Sequence, residues 1–220
     1  MELREALRST AAIRSFTDQP VSDETIAAIL DDARFAPSGG NRQPWRIAVL
    51  KDPALRRSLA DAMQPVWDEY MVFTSAGRTP FTAVPPAGYT PPTDRPPHAP
   101  NPLLENIESI PAVLAVAADL SRIAMMDKDL DRPAVAGGAS IYPFCWSILL
   151  AAREHDLGGV ITTFATRVEP ITGPILGLPA DHVLAAVIFL GHPERRPTKL
   201  KRSPVIATVD RFDGPPLSYD

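Results

Sequence analysis

The 220-residue chain has little cysteine: Cys145 stands alone. One thiol excludes an intramolecular disulfide framework and a multi-cysteine metal centre. Long apolar runs are also missing. Val183–Leu190 has eight residues, far short of the roughly 20 that span a bilayer as a helix. Neither sign of charge dominates, since 22 Lys and Arg face 26 Asp and Glu for a net charge of −4. That balance carries no footprint for nucleic acid or an anionic membrane surface. The histidines, His98, His155, His182 and His192, show no HxxxH or HExxH spacing, so no zinc site is expected. GxSxG, GxGxxG and GxxxxGK(S/T) are all absent, which removes the hydrolase elbow, the dinucleotide fingerprint and the phosphate loop. The opening segment MELREALRST has no signal-like apolar run. A cytoplasmic chain with no membrane or nucleic-acid partner is expected.

What is abundant is proline, at 25 residues, more than twice the usual share of about 5%. Nine of the 23 residues from Pro80 to Pro102 are proline. Ring closure removes the donors that helices and inner strands need, so this stretch reads as a long loop. Loops of that length inside a domain are either functional or disordered. A lid over residues 79–104 is one reading and a disordered insertion the other.

Around that loop, helical and strand patterns interleave. A short helix covers Met1–Ser9. Ser22 caps a second, with Ile26, Ile29, Leu30 and Ala33 at helical spacing and a stop near Pro37. Trp45–Leu50 has strand character, and Pro53 opens a helix running towards Tyr70. Pro111–Ala117, Gly158–Thr163 and Val183–Leu190 read as strands, Ala139–Glu154 as an apolar helix, and a short helix ends near Gly177. Val205–Val209 reads as a last strand. Without an internal repeat, residues 1–220 read as one α/β or α+β domain. Cys145 sits on an apolar helical face with no electropositive neighbour, and reads as packed core, not nucleophile.

Four features could together build a site for an anion joined to a planar heterocycle. They are Arg14, the loop Pro37-Ser38-Gly39-Gly40-Asn41-Arg42-Gln43-Pro44-Trp45, the segment Gly158–Phe164 with Thr162 and Thr163, and Lys199, Lys201 and Arg202 of the basic tail. Arginines with backbone donors around a hydroxyl-rich loop suit a phosphate. Singly, each reads equally as a helix end, a turn, a strand end or a solvated charge run.

In series these pieces resemble the FMN-dependent nitroreductase superfamily. The similarity runs through Ile13-Arg14-x-Phe16, Ala36–Trp45, Gly158–Phe164, Phe189-Leu190-Gly191-His192-Pro193 and Lys201-Arg202-x-Pro204. The resemblance implies an α+β sheet sandwiched by helices, in a homodimer that exchanges C-terminal tails and holds FMN between subunits. It assigns Arg14, with Thr10 nearby, to the phosphate and ribityl chain. Pro37 and Ser38, with Gly39 and Asn41, would lie against the ring from the other subunit. Thr162 and Thr163 would stand beside the flavin, and Arg202 would reach the phosphate. No catalytic acid–base residue is implied. Where many members carry cations before the second basic residue, this chain reads Thr10-Ala11-Ala12. Arg8, Lys199 or Lys201 would have to compensate.

The activity implied is electron transfer from NAD(P)H through FMN to small nitroaromatic or quinone acceptors. Alternatives are a reductive dehalogenase of the deiodinase branch, a flavin-cleaving enzyme and a non-catalytic flavin-binding protein. The deiodinase branch grips its substrate with charged lid residues that include lysine. Here no lysine falls between Lys51 and Lys128, leaving Glu69, Arg78 and Arg95 as substitutes. Phe81 and Tyr89 are expected to border the acceptor.

Overall fold

A computed structural model describes residues 2–85, 88, 96–197 and 199–217. Tyr89 and Arg95 lie outside the described residues.

The helices are α1 (Leu3–Ser9), α2 (Asp23–Ala33), α3 (Pro53–Ser75), α4 (Pro102–Glu105), α5 (Tyr142–Ala151), α6 (Phe164–Arg167) and α7 (Glu169–Leu176). The strands are β1 (Trp45–Val49), β2 (Ala112–Asp119), β3 (Gly158–Thr162) and β4 (His182–Gly191), in the order β1-β2-β4-β3 with every neighbour antiparallel. The α+β expectation holds.

The central strands β2 and β4 are buried on both faces, so their sequences AVLAVAAD and HVLAAVIFLG carry almost no polar alternation. On one face Leu114, Val116, Ile188 and Leu190 pack against Ile29 of α2 and Phe144, Cys145 and Ile148 of α5. Trp45 stacks on Phe144 with centroids 4.5 Å apart. The opposite face, with Val113, Ala115, Val187 and Phe189, meets Leu59 and Met63 of α3, Leu104 and Ile107. A bulge falls where the register shifts from Val116↔Ala186 to Ala117↔Leu184. It leaves the Ala185 carbonyl to accept hydrogen bonds from the Tyr142 hydroxyl (3.3 Å) and Thr166 Oγ1 (3.4 Å).

Ser22 caps α2 by accepting from Thr25 N–H, and Asp52 caps α3 by accepting from Ala54 N–H. Arg56, near the start of α3, is buried. It donates from Nε to the Leu50 carbonyl (2.7 Å) and from Nη1 to the carbonyls of Glu108 (3.0 Å) and Ile110 (2.7 Å). Burial pushes its pKa down, yet the three carbonyls keep the cation well solvated by protein.

A second fastener holds the connection between β2 and α5. The Asp127 carboxylate accepts from Arg132 Nη1 (2.7 Å), Val135 N–H (2.8 Å) and Ala136 N–H (3.1 Å). These bonds, the Val135 amide foremost, draw its pKa down to about 2.

One expectation fails. Val205–Val209 is not a strand: Val205 and Ile206 are 78% and 94% exposed, and only an isolated bridge, Thr208↔Pro216, forms there. β propensity needs a partner strand, and this segment finds none among the described residues.

Candidate functional site

Close backbone approach organises the N-terminal half of the site. A Cβ on Gly159 would lie 2.3 Å from the Phe189 carbonyl oxygen, and one on Gly158 would lie 2.7 Å from Ile13 Cγ1. The bare glycines let residues 12–13 lie along β3. Ala12 pairs parallel with Gly159, and Ile13 N–H donates to the Gly159 carbonyl at 2.9 Å. Arg14 follows directly, exposed and without a hydrogen-bond or ion-pair partner among the described residues. It borders a hollow of about 270 Å³ that also touches Ser15, Asp18, Asn106 and Glu194. Thr10 is buried and donates to the Ala6 carbonyl at 2.7 Å, so its hydroxyl closes α1.

The Pro37–Trp45 loop is built from left-handed backbone and local bonds. Gly40 (φ 61°), Asn41 (φ 53°) and Gln43 (φ 47°) turn the chain. Ser38 Oγ accepts from Gln43 N–H (3.0 Å), and Asn41 Oδ1 accepts from Gln43 Nε2 (2.9 Å). Gly39 N–H donates to Ser140 Oγ (3.1 Å), tying the loop to the turn before α5. Pro37 is exposed. Ser140 was not legible as a site support; its only signal is a hydroxyl in the small-residue run before the helix.

At the far end of β3 the two threonines part company. Thr162 closes the strand, and its hydroxyl donates to the Val187 carbonyl at 3.2 Å. Thr163 leaves the strand at φ −120°, ψ 13°, precedes α6, and is exposed. Its hydroxyl has no hydrogen bond among the described residues.

α6 leads from Thr163 to Arg167, which borders a chamber of about 600 Å³ with Glu69, Phe73, Arg78, Phe81 and Val84. Arg167 Nη2 donates to both carboxylate oxygens of Glu69 (3.0 and 3.2 Å), and its guanidinium lies 4.0 Å from the Phe81 centroid. Phe81 also meets the rings of Phe73 and Tyr70. Glu69, Arg78 and Phe81 were legible as candidates; Arg167 was not, because no local pattern marks an arginine in a four-residue helix.

The chain returning from the proline-rich segment is caught by α3. Ala99 N–H donates to Asp68 Oδ1 (2.9 Å), Gln64 Nε2 donates to the Ala99 carbonyl (2.9 Å), and Trp67 Nε1 donates to the Pro100 carbonyl (3.1 Å). In the basic tail, Arg202 is exposed and donates to the neighbouring Lys201 carbonyl (2.8 Å). Cys145 is fully buried, and desolvation pushes its thiol up to about 12, which fits a core role. No described helix is long and apolar enough to cross a membrane.

Within one chain, then, Arg14 lies at the start of β3, Thr162 and Thr163 at its end, and the Pro37 loop between α2 and β1.

The Nitroreductase family model matches residues 7–192, and the chain belongs to that family. A nitrobenzene nitroreductase of Ectopseudomonas oleovorans is 28% identical over 209 residues, 84% of each chain. An Archaeoglobus fulgidus protein, provisionally named NADH dehydrogenase/NAD(P)H nitroreductase, is 36% identical over 185 residues, covering 83% of this chain and 80% of that one. Among solved structures, oxidized iodotyrosine deiodinase bound to FMN and 3-iodo-L-tyrosine superposes with a TM-score of 0.68 at 20% identity, covering 96% of this chain and all of that one.

Proposed function

We propose that this chain is an FMN-dependent oxidoreductase that passes electrons from NAD(P)H to nitroaromatic or quinone acceptors, as a homodimer whose basic tail reaches the partner. The observation that carries this reading is the end of β3. There an exposed threonine hydroxyl, without a hydrogen-bond partner among the described residues, stands one short helix from an aromatic-lined chamber. When bound, FMN would supply the hydride and electron chemistry.

The residues present suit that group. Arg14 and Arg202 keep their guanidinium donors clear of carboxylates among the described residues, as a phosphate requires. Thr162 is fixed by the Val187 carbonyl and holds the strand end still. Thr163 can donate or accept through a rotating hydroxyl, so it is the threonine placed to bond a ring nitrogen whose protonation changes. Pro37, Ser38, Gly39 and Asn41 would cover the ring from the second subunit, on a loop held rigid by Ser140 and Gln43. Dimerisation is further supported by apolar side chains left in solvent, among them Leu7, Phe35, Ile206 and Phe212.

The deiodinase alternative asks for a carboxylate to receive a substrate ammonium. Glu69 is already paired with Arg167, and no lysine falls between Lys51 and Lys128; both favour the nitroreductase reading.

The test is the absorbance of purified protein before and after anaerobic NAD(P)H. A bound yellow chromophore that bleaches supports the proposal, and a colourless protein unable to take up FMN ends it. Thr163→Val should then change turnover several-fold with flavin occupancy preserved, whereas Thr162→Val should act mainly on stability. Identical rates for Thr163→Val and the parent would leave that hydroxyl without a role.

A further inference from the structure

The chamber bordered by the end of α3, α6 and residues 77–85 carries more information than its position. Its volume, about 600 Å³, falls within the range of roughly 300–1,000 Å³ typical of small-molecule sites. Among the described residues, Glu69, Arg78 and Arg167 are the charged side chains that border it. Phe73 and Phe81 supply flat apolar surface.

Arg167 has capacity left. Both of its hydrogen bonds leave from Nη2, and both end on Glu69. Among the described residues Nε and Nη1 keep their donors, each able to make a charge-assisted bond to a carboxylate oxygen. The guanidinium plane is held by stacking over Phe81, a non-glycine residue in left-handed backbone (φ 51°) whose ring is braced by Phe73 and Tyr70. Strain of that kind persists where surrounding contacts over-determine it, and it concentrates at ligand clamps.

We propose that this chamber binds the acceptor as an aromatic monocarboxylate, with its ring on the wall formed by Phe81 and Val84 and its carboxylate on Arg167. This assignment names a substrate class and rests on the function proposed above. A zwitterionic amino acid is disfavoured, because its ammonium would share Glu69 with Arg167 and sit beside that guanidinium's positive charge.

Calorimetric titration of the full-length protein as purified tests this without turnover, using 4-nitrobenzoate and its neutral isostere 4-nitrobenzamide. The acid should bind about tenfold tighter, the scale of a charge-assisted pair. Arg167→Gln should erase the preference, Arg167→Lys should restore part of it, and Phe81→Leu should weaken both ligands alike. Glu69→Gln removes the competing carboxylate and should tighten acid binding several-fold, which serves if the Arg167 variants do not fold. A second pair, 3-(4-hydroxyphenyl)propionate against L-tyrosine, should favour the propionate. Equal affinity for acid and amide in the parent, an Arg167→Gln variant that keeps the preference, or tighter binding of L-tyrosine would each overturn the proposal. Failure of NAD(P)H to reduce the protein, with the acid preference intact, would instead remove the redox reading and leave the acid site standing.

Discussion

Arg56 and Arg167 meet opposite ends of α3 and use the same five donors in different ways. Arg56 is buried and binds three backbone carbonyls from β1's end and the turn before β2. Arg167 is half exposed and binds one side-chain carboxylate from one nitrogen. Backbone carbonyls cannot move away without unfolding the segments that carry them. A carboxylate on a rotatable side chain can be exchanged for another carboxylate. One end of the helix is therefore frame, and the other is a place where ligands can compete with protein.

The comparison breaks most visibly at Arg56. Arg56→Met keeps the apolar stem and leaves three carbonyls, two of them in buried bonds, without their donor, so a loss of about 3 kcal/mol is expected in urea unfolding. Arg56→Lys should recover only part of that, because an ammonium on a flexible stem cannot reproduce the fork. A loss below about 1 kcal/mol for Arg56→Met would place both arginines in one class.

Asp127 gives an intermediate case, a carboxylate held chiefly by backbone N–H groups. Its folded pKa of about 2 lies below the ordinary 3.8. Its stabilisation is thus complete above about pH 4 and disappears as pH falls through about 2. Asp127→Asn should lower the urea midpoint at pH 6 and flatten the acid limb between pH 4 and 2. An unchanged acid limb in the variant would assign that titration to other groups.

The smallest effect belongs to Arg167. Its pair with Glu69 is partly exposed, with side chains 46% and 31% accessible, and such pairs contribute about 0–1 kcal/mol. Arg167→Gln should lower the unfolding free energy measured in urea by less than about 1 kcal/mol while changing ligand selectivity. A larger shift would make Arg167 a second frame arginine.

Much of the frame was readable in the chain itself. Ile26, Ile29, Leu30 and Ala33 announce α2, and the unbroken apolar run of β4 announces a central strand. The elements that escaped are those whose cause is tertiary. Val205–Val209 has strand composition but no partner, while α6 is only four residues long and is set by packing of Ala165 beneath β4. Pro65 and Pro174 sit inside helices, where local rules argue for a break. For the candidate site, residue order pointed to Arg14, the Pro37 loop and the threonines. Arg167 and Ser140 act across 98 and 101 residues of chain, a separation that no local spacing encodes.

The grip of Gln64, Trp67 and Asp68 on Ala99 and Pro100 has a further consequence. The proline-rich stretch leaves α3 at its end and is recaptured by the same helix, so the helix itself holds both ends of a closed ring of chain. Closing such a ring costs only logarithmically with length; doubling or halving it changes folding free energy by about 0.6 kcal/mol. Changes of length between those two attachments therefore cost folding little. The fold carries a cassette beside the chamber bordered by Arg167, open to changes of length while the sheet behind it stays the same.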